Sequence, residues 1–307
     1  MTQITSSKLS SPALAALGSV TEVLVPGDDG YAGAAVTVFG DGTPDLVVRP
    51  RDAAGVAAAL RYAAGAGLAV TVRSGGHSMA GLSTSADGMV IDTRRVSGMR
   101  LLDPAARRVR IGAGATWGEV AAALIPHGLG LTAGDTSQVG VAGLTLGGGI
   151  GWLVRQHGLT IDSLVGAQVV TADGRLVGAD AVEHADLFWA LRGGGGNFGV
   201  VVDFDFVAQP VTNLHFGSVA YRPDDPASDA NRAAWATLAA SPTPALIAFS
   251  DSDPITGAMA PILKRVLPGA QGRKHPTIAN AGHFLQEDAG AELAAAILAF
   301  VEQTPLD

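Results

Sequence analysis

Two glycine-rich segments carry the residues best suited to chemistry in this chain. The first reads R-S-G-G-H-S at residues 73–78, where a glycine pair precedes the imidazole of His77. The second reads V-G-V-A-G-L-T-L-G-G-G-I-G at residues 139–151. Successive backbone N–H groups in a glycine loop form an anion-binding concavity, and glycine lets the backbone approach its ligand closely. Two such loops could clasp one elongated ligand that contains a pyrophosphate, with His77 at the rim.

A different chemistry is indicated near the C-terminus. S-D-S-D-P at residues 250–254 follows an apolar run, and G-H-F at 282–284 comes later. Asp253 and His283 therefore have the order of the acid and the base in an α/β-hydrolase. No G-x-S-x-G or G-x-D-x-G nucleophile elbow precedes them. Without that elbow, local hydrogen bonding is a better interpretation of the pair than catalysis.

The segment before His77 has the pattern of a βαβ unit. Residues 45–73 contain an apolar strand, a helix at 52–66 and a second strand at 69–73. Loops at the carboxyl ends of such strands are the usual position of ligands. Further strands are predicted at 89–92, 109–111 and 169–172, with a helix at 116–125. From residue 199 the alternation of apolar and acidic residues predicts a half-exposed antiparallel strand.

The character of the sequence changes between residues 211 and 227. R-P-D-D-P-A is polar and contains prolines, which can neither continue a helix nor lie at the centre of a sheet. We therefore expect a domain boundary there. Beyond it the patterns predict a helix at about 228–240, a buried strand at 245–249 and an amphipathic helix at about 289–301.

Several motifs in one order resemble a known cofactor-binding domain. R-S-G-G-H-S, G-V-A-G-L-T-L-G-G-G-I-G-W and D-L-F-W-A-L-R-G-G-G-G-N-F-G-V-V are similar to the FAD domain of the p-cresol methylhydroxylase (PCMH) and vanillyl-alcohol oxidase type. The nearest branch is the berberine-bridge-like oxidases, and the similarity covers about residues 45–221. The resemblance implies FAD, bonded covalently through His77. Some relatives add a cysteine thioether, but Thr136 stands at that position, so one covalent link is expected.

The resemblance also implies a reaction and a set of residues that bind FAD. Oxidation of a small organic substrate is implied, with hydride passing to the flavin and dioxygen able to reoxidise it. The usual base, often a tyrosine of a following substrate domain, has no candidate among Tyr31, Tyr62 and Tyr221. The implied cofactor-binding residues are Arg73, Ser74, Gly75, Gly76, His77, Ser78, Gly134, Thr136, Ser137, Gly140, Gly143, Gly147, Gly148, Gly149, Gly151 and Val201.

The C-terminal part resembles a different family. Residues 223–300, including A-F-S-D-S-D-P-I-T-G and G-H-F-L-Q-E-D, are similar to the C-terminal part of haloalkane dehalogenases. The fold class expected is therefore α+β. It comprises an N-terminal extension at 1–20, a PCMH-type FAD-binding domain of two α/β subdomains at 21–221 and a partial α/β-hydrolase segment at 222–307.

Composition limits the partners. The net charge of -8 disfavours nucleic acid and anionic membranes, which repel an acidic surface. The chain has no cysteine, which excludes disulfides and thiolate metal sites, and no metal site is expected. No signal sequence or long apolar run is evident, so the cytoplasm is the default compartment. Trp117, Trp152 and Trp189 are expected to fill the core rather than to stack on a cofactor.

Two alternatives to an FAD-dependent oxidase remain open from the sequence. One is a haloalkane-dehalogenase-like hydrolase that uses His283 and Asp253. The other is a non-catalytic fusion in which neither active site is complete. Taken alone, a histidine after Gly-Gly is more often a turn or capping residue than a ligand-binding one, so the flanking motifs carry the assignment.

Overall fold

A computed structural model describes residues 12–211, 229–254, 256–282 and 285–304. The chain divides into two compact units, Met1–Leu214 and His215–Asp307. This division falls within the segment 211–227, where the sequence changes character. Each unit is described separately below.

The first unit mixes short strands with short helices. Its strands are β1 (Glu22–Leu24), β2 (Val36–Thr37), β3 (Gly40–Asp41), β4 (Leu46–Arg49), β5 (Val70–Arg73), β6 (Met89–Asp92), β7 (Met99–Asp103), β8 (Arg108–Gly112), β9 (Leu129–Gly130), β10 (Leu164–Val170), β11 (Leu176–Asp180), β12 (Val200–Val207) and β13 (Gln209–Pro210). Its helices are α1 (Pro12–Val20), α2 (Tyr31–Ala35), α3 (Ala53–Ala66), α4 (Trp117–Leu124), α5 (Val141–Leu146), α6 (Val154–His157) and α7 (Ala185–Gly194). Single 3-10 turns occur at Thr93–Arg95, Ile125–His127 and Thr160–Ser163.

A four-stranded sheet of order β1–β4–β6–β5 carries the His77 loop. β4 and β5 run parallel to β6, whereas β1 is antiparallel to β4. Helix α3 connects β4 to β5, begins at Asp52, whose side chain caps Gly55 N, and ends at Gly67 in the left-handed conformation. The βαβ unit predicted at 45–73 is thus confirmed.

The second sheet has five antiparallel strands in the order β11–β10–β12–β8–β7. β12 is its central strand, and the prediction of half exposure is wrong at Asp205, which is 4% exposed. Arg108 and Arg110 of β8 reach Asp205 at 3.1 and 2.6 Å and cover it. β10 begins at Leu164, five residues before the strand predicted at 169–172. The prediction missed its first half because those residues are mostly buried and lack the alternation that marks a half-exposed strand.

Each sheet buries an apolar face against helices. Leu17 of α1 and Val56 and Leu60 of α3 pack with residues of β4 and β6. The segment predicted as an N-terminal extension thus contributes a helix to this core. A second core joins the antiparallel sheet to α4, α5 and α7 and contains Trp117. Core packing was predicted for three tryptophans and is confirmed for Trp117; for Trp152 and Trp189 it is wrong, because both are largely exposed.

The second unit contains small elements. They are α8 (Asp229–Ala240), β14 (Phe249–Ser250), α9 (Met259–Val266), the 3-10 turn Pro268–Ala270, β15 (Thr277–Ile278), α10 (Leu285–Asp288) and α11 (Gly290–Glu302). β14 and β15 pair in parallel.

The buried strand predicted at 245–249 is largely wrong, because only Phe249 lies in a strand. Ala245 N instead donates to Gly269 O at 3.0 Å, and Ile247 N donates to Nδ1 of His275 at 3.2 Å. These bonds replace a strand ladder. Within the described ranges, no helix has the length and apolar character needed to cross a bilayer.

Candidate cofactor site

The His77 loop leaves the first sheet at the carboxyl end of β5. Arg73, the last residue of β5, lies opposite Asp92 of β6. Gly76 is buried and has a φ of 75°, a conformation that glycine adopts without steric cost. His77 and Ser78 follow it in half-buried positions. The βαβ unit therefore delivers the loop to the edge where ligands commonly bind.

The His77 loop is in backbone contact with the segment that precedes the second glycine run. A side chain at Gly75 would overlap the backbone of Gly140, and one at Gly140 would overlap Gly75 and Ser74. Ser74 Oγ donates to the carbonyl of Ala113 at 2.7 Å, which fixes the loop to the end of β8. The structure thus brings together the two segments that the sequence singles out.

The backbone N–H groups of residues 74–78 donate no hydrogen bond to an acceptor elsewhere in the described part of the chain. Buried N–H groups of folded proteins are almost always paired. Gly76 is buried and its neighbours are half-buried, so these five successive donors are available to an anionic ligand. This donor set fits the pyrophosphate of FAD.

The guanidinium of Arg73 lies beneath the loop. It is 2% exposed and donates to the carbonyls of Ala34 and Val36, the latter at 3.1 Å. It also pairs with Asp92 at 3.0 Å. The side chain of Arg73 therefore supports the loop from within the protein, and contact between its backbone and a cofactor stays a prediction.

Asp92 is the centre of this buried charge cluster. Its side chain is 1% exposed, and Oδ2 also forms ion pairs with Nη2 of Arg94 at 2.6 Å and with Nε of Arg49 at 3.4 Å. Burial opposes ionisation of Asp92, but hydrogen bonds from Arg94 and the charges of Arg73 and Arg94 prevail and lower its pKa to about 2. Asp92 is therefore a carboxylate at neutral pH and compensates the buried charge of Arg73.

The imidazole of His77 lies beside the hairpin formed by β2 and β3. Val38 N, at the turn of that hairpin, donates to Gly76 O at 3.1 Å. The ring of Phe39 lies 6.3 Å from the His77 ring at an interplanar angle of 76°. Ser78 Oγ accepts from Leu82 N at 3.2 Å, which orders the chain after the histidine.

Three of the residues predicted to bind the cofactor lie in the chain shortly before Gly140, which contacts the His77 loop. Thr136 is exposed and donates from Oγ1 to Asp135 at 3.0 Å. The carbonyl of Ser137 accepts from Gly118 N at 2.9 Å, at the start of α4. A side chain at Gly134 would press against Leu144 of α5. Their contact with a cofactor stays a prediction.

The glycine run at 147–151 lies at the C-terminal end of helix α5. Gly147 N donates to Gly143 O at 3.2 Å, and Gly148 N donates to Thr145 O at 3.0 Å. These two amides thus complete the end of a helix. The cofactor-binding role expected of Gly147 and Gly148 stays a prediction.

The next two glycines are required by packing. Gly149 has a φ of 80°, and a side chain there would overlap Thr160. A side chain at Gly151 would overlap the backbone of Ala133. Thr160 Oγ1 donates to Thr132 O at 2.6 Å and to Gly149 O at 3.2 Å, so it ties this run to its neighbours.

Two further residues predicted to bind the cofactor, Gly143 and Val201, have no contact with the His77 loop among the contacts that the structure describes. Gly143 is within α5, and a side chain there would meet open space. Val201 lies in β12 opposite Val169, with its side chain in the core. Only its backbone is left for a ligand, and that contact stays a prediction.

The carboxylate of Asp253, in the second unit, makes bonds within a local turn. It accepts from Thr256 N at 3.0 Å and from the hydroxyl of Thr256. His283 lies outside the described residues. The pairing of Asp253 with His283 therefore stays a prediction.

Sequence reasoning missed Asp92 and Phe39 as parts of this site. Asp92 carried a signal, because it ends a strand parallel to the one that ends in Arg73. Phe39 carried none, since its contact with His77 joins residues distant in sequence through a short hairpin.

The comparisons with known proteins match the first unit of the chain. Residues 44–180 match the family of the FAD binding domain. The (R)-6-hydroxynicotine oxidase of Paenarthrobacter nicotinovorans is 39% identical over 204 residues, which are 65% of this chain and 43% of that protein. The glucooligosaccharide oxidase of Sarocladium strictum is 37% identical over 57% of this chain and 35% of its own length.

Solved structures agree with the sequence relatives. A 6-hydroxy-D-nicotine oxidase from Arthrobacter nicotinovorans superposes with a TM-score of 0.60 at 38% identity, over 62% of this chain and 42% of its own. A BBE-like protein of Physcomitrella patens gives 0.61 at 30% identity, over 65% and 44%. The chain thus spans less than half the length of these relatives. Its first unit has a mixed α+β fold similar to PCMH-type FAD-binding domains, and its homologues include berberine-bridge-like and oligosaccharide oxidases.

Proposed function

We propose that the first unit binds FAD through the His77 loop and bonds it covalently to His77, and that the protein is an FAD-dependent oxidase. The observation that carries this proposal is the run of five backbone N–H donors at residues 74–78 that no described acceptor uses. His77 supplies one of the five. Such donors can bind a pyrophosphate without a lysine or arginine at the loop surface.

The residues of the loop divide the work. The amides of 74–78 bind the phosphates, Gly75 permits the close approach to Gly140, and the Arg73–Asp92 pair holds the loop in place. Bound FAD supplies hydride-accepting chemistry that no amino-acid side chain can supply. The protein contributes orientation and electrostatics around it.

The covalent bond would join an imidazole nitrogen of His77 to the methyl carbon on the benzenoid ring of the flavin. In forming this bond the His77 nitrogen would give up its proton and the methyl carbon one hydrogen, and dioxygen would take up the two electrons released. This attachment is supported by a solved structure of a glucooligosaccharide oxidase from Acremonium strictum, which carries a histidyl FAD. Because the chain has no cysteine, the histidyl bond is the single link we propose.

The substrate we propose is a small organic molecule that gives hydride to the flavin, with dioxygen as the electron acceptor. The hydroxynicotine and glucooligosaccharide oxidases among the relatives support this class. Tyr31 is not supported as a base: its hydroxyl donates to Pro44 O at 2.5 Å, and burial, followed by the charge of Asp45, raises its pKa. Tyr221 lies outside the described residues. Cofactor binding is therefore better supported than turnover.

The test is an absorption spectrum of protein incubated with FAD, taken before and after acid precipitation. We expect flavin colour to stay with the pellet. His77→Ala should release its flavin into the acid supernatant, whereas His127→Ala, which changes an exposed histidine elsewhere in the first unit, should retain it. A wild-type protein that stays colourless contradicts the proposal and favours a non-catalytic fusion.

Hydrolysis by the second unit is the other candidate. The parallel pairing of β14 with β15, and the position of Asp253 shortly after β14, support a partial α/β-hydrolase arrangement similar to haloalkane dehalogenases. Chloride release from a haloalkane that disappears in His283→Ala would favour this function. Release at the rate of a protein-free blank would eliminate it.

A further inference from the structure

The β2–β3 hairpin is bound to the His77 loop at two points. At its turn, Val38 N donates to the carbonyl of Gly76, directly before the histidine. At its base, Arg73 donates to the carbonyl of Val36, the first residue of β2, and also to that of Ala34 in the preceding helix α2. Since Arg73 is also the residue from which the loop starts, one buried side chain fixes the position of both segments.

Phe39 extends this arrangement to the imidazole itself. Its ring centroid lies 6.3 Å from that of His77 at 76°, within the range of favourable edge-to-face ring pairs. Phe39 is 51% exposed, so burial in a core does not account for its position. Among the described residues, His77 is the aromatic ring paired with it.

We propose that Phe39 is a positioning residue that holds the His77 imidazole in one orientation for bonding to the flavin. This inference rests on the proposed function. A histidine side chain on a loop has several staggered rotamers, and only those that direct a ring nitrogen at the methyl carbon can react. The hairpin supplies a fixed wall on one side of the ring, and orienting a reacting group in this way accelerates bond formation.

The rate of covalent flavin incorporation tests the inference. Flavin-free protein is mixed with FAD in air, and acid-precipitable flavin is followed with time. Phe39→Ala should slow incorporation about fivefold, the scale expected for losing one edge-to-face pair. Phe39→Tyr keeps the ring and should restore the wild-type rate, and the surface control Val182→Ala should leave it unchanged. A wild-type rate in Phe39→Ala, or no rescue by tyrosine, overturns the inference.

A measurement without flavin separates this inference from the proposed function. In flavin-free protein labelled with ¹³C-histidine, NMR couplings report the χ1 distribution of His77. We expect one dominant rotamer in the wild type and in Phe39→Tyr, and averaging over several in Phe39→Ala. Equal distributions in all three overturn the positioning role. If the wild type incorporates no flavin but the distributions differ as expected, the proposed function is wrong and the positioning of His77 by Phe39 stands.

Discussion

The two glycine-rich loops of the first unit have similar composition and opposite environments. Residues 74–78 keep five amides that no acceptor in the described ranges uses, above the buried ions Arg73 and Asp92. Residues 147–151 use amides to complete a helix end and pack against the uncharged Thr160 and Ala133. Glycine serves ligand approach in one loop and close packing in the other. Enrichment in glycine therefore does not by itself identify a phosphate site.

The largest effect is expected from Asp92→Asn, which tests whether buried charge supports the His77 loop. Removing the carboxylate leaves Arg73 buried without a compensating charge, which we expect to cost about 4 kcal/mol of unfolding free energy. Covalent flavin should fall as well. Urea unfolding and acid-precipitable flavin measure the two. A change within the error of the unfolding curve would mean that the ion cluster does not hold the loop.

Gly151→Ala tests the packing role of the second loop. The added methyl group overlaps the backbone of Ala133, and we expect a loss of about 3 kcal/mol because the backbone must move. Gly143→Ala is the matched control: the site is open, so its stability should stay equal or rise by about 0.5 kcal/mol. If the folded fraction of Gly151→Ala retains covalent flavin, the second loop serves packing. Loss of flavin from fully folded protein would contradict that view.

Acid should affect the two loops differently. The folded-state pKa of Asp92 is lowered from 3.8 to about 2, so its contribution is complete above pH 4 and is lost as the pH falls towards 2. This contribution is about 2 kcal/mol. Unfolding curves recorded from pH 5 to pH 2 should therefore be steeper in pH for the wild type than for Asp92→Asn. Parallel curves would show that Asp92 is not the titrating group.

The smallest effect is expected from Thr160→Val beside the second loop. The hydroxyl donates to Thr132 O and Gly149 O, and its loss should cost about 1 kcal/mol without a pH dependence. Thermal unfolding at pH 7 and at pH 4 checks both statements. A pH-dependent loss would indicate a charged partner that the structure does not contain at this position.

Pattern reasoning succeeded where function depends on local chain geometry. The alternation of strand and helix before Arg73 placed the His77 loop at the end of a parallel strand, as the structure shows. Pattern reasoning failed where contacts with residues distant in the chain determine burial or strand pairing. β12 reads as a half-exposed strand, but Arg108 and Arg110 of its neighbour bury Asp205. Residues 245–249 read as a strand, but Ile247 bonds a histidine side chain instead.

The sequence by itself determined the elements of the first sheet, the FAD-type motifs and the position of His77 in a glycine loop, because turns, caps and hydrophobic periodicity act over a few residues. Only the tertiary structure decided which amides stay available, where Arg73 directs its charge and which ring lies beside His77. These properties depend on contacts between segments far apart in the chain. A hydrogen-bond donor is available to a ligand only when no such contact has already used it.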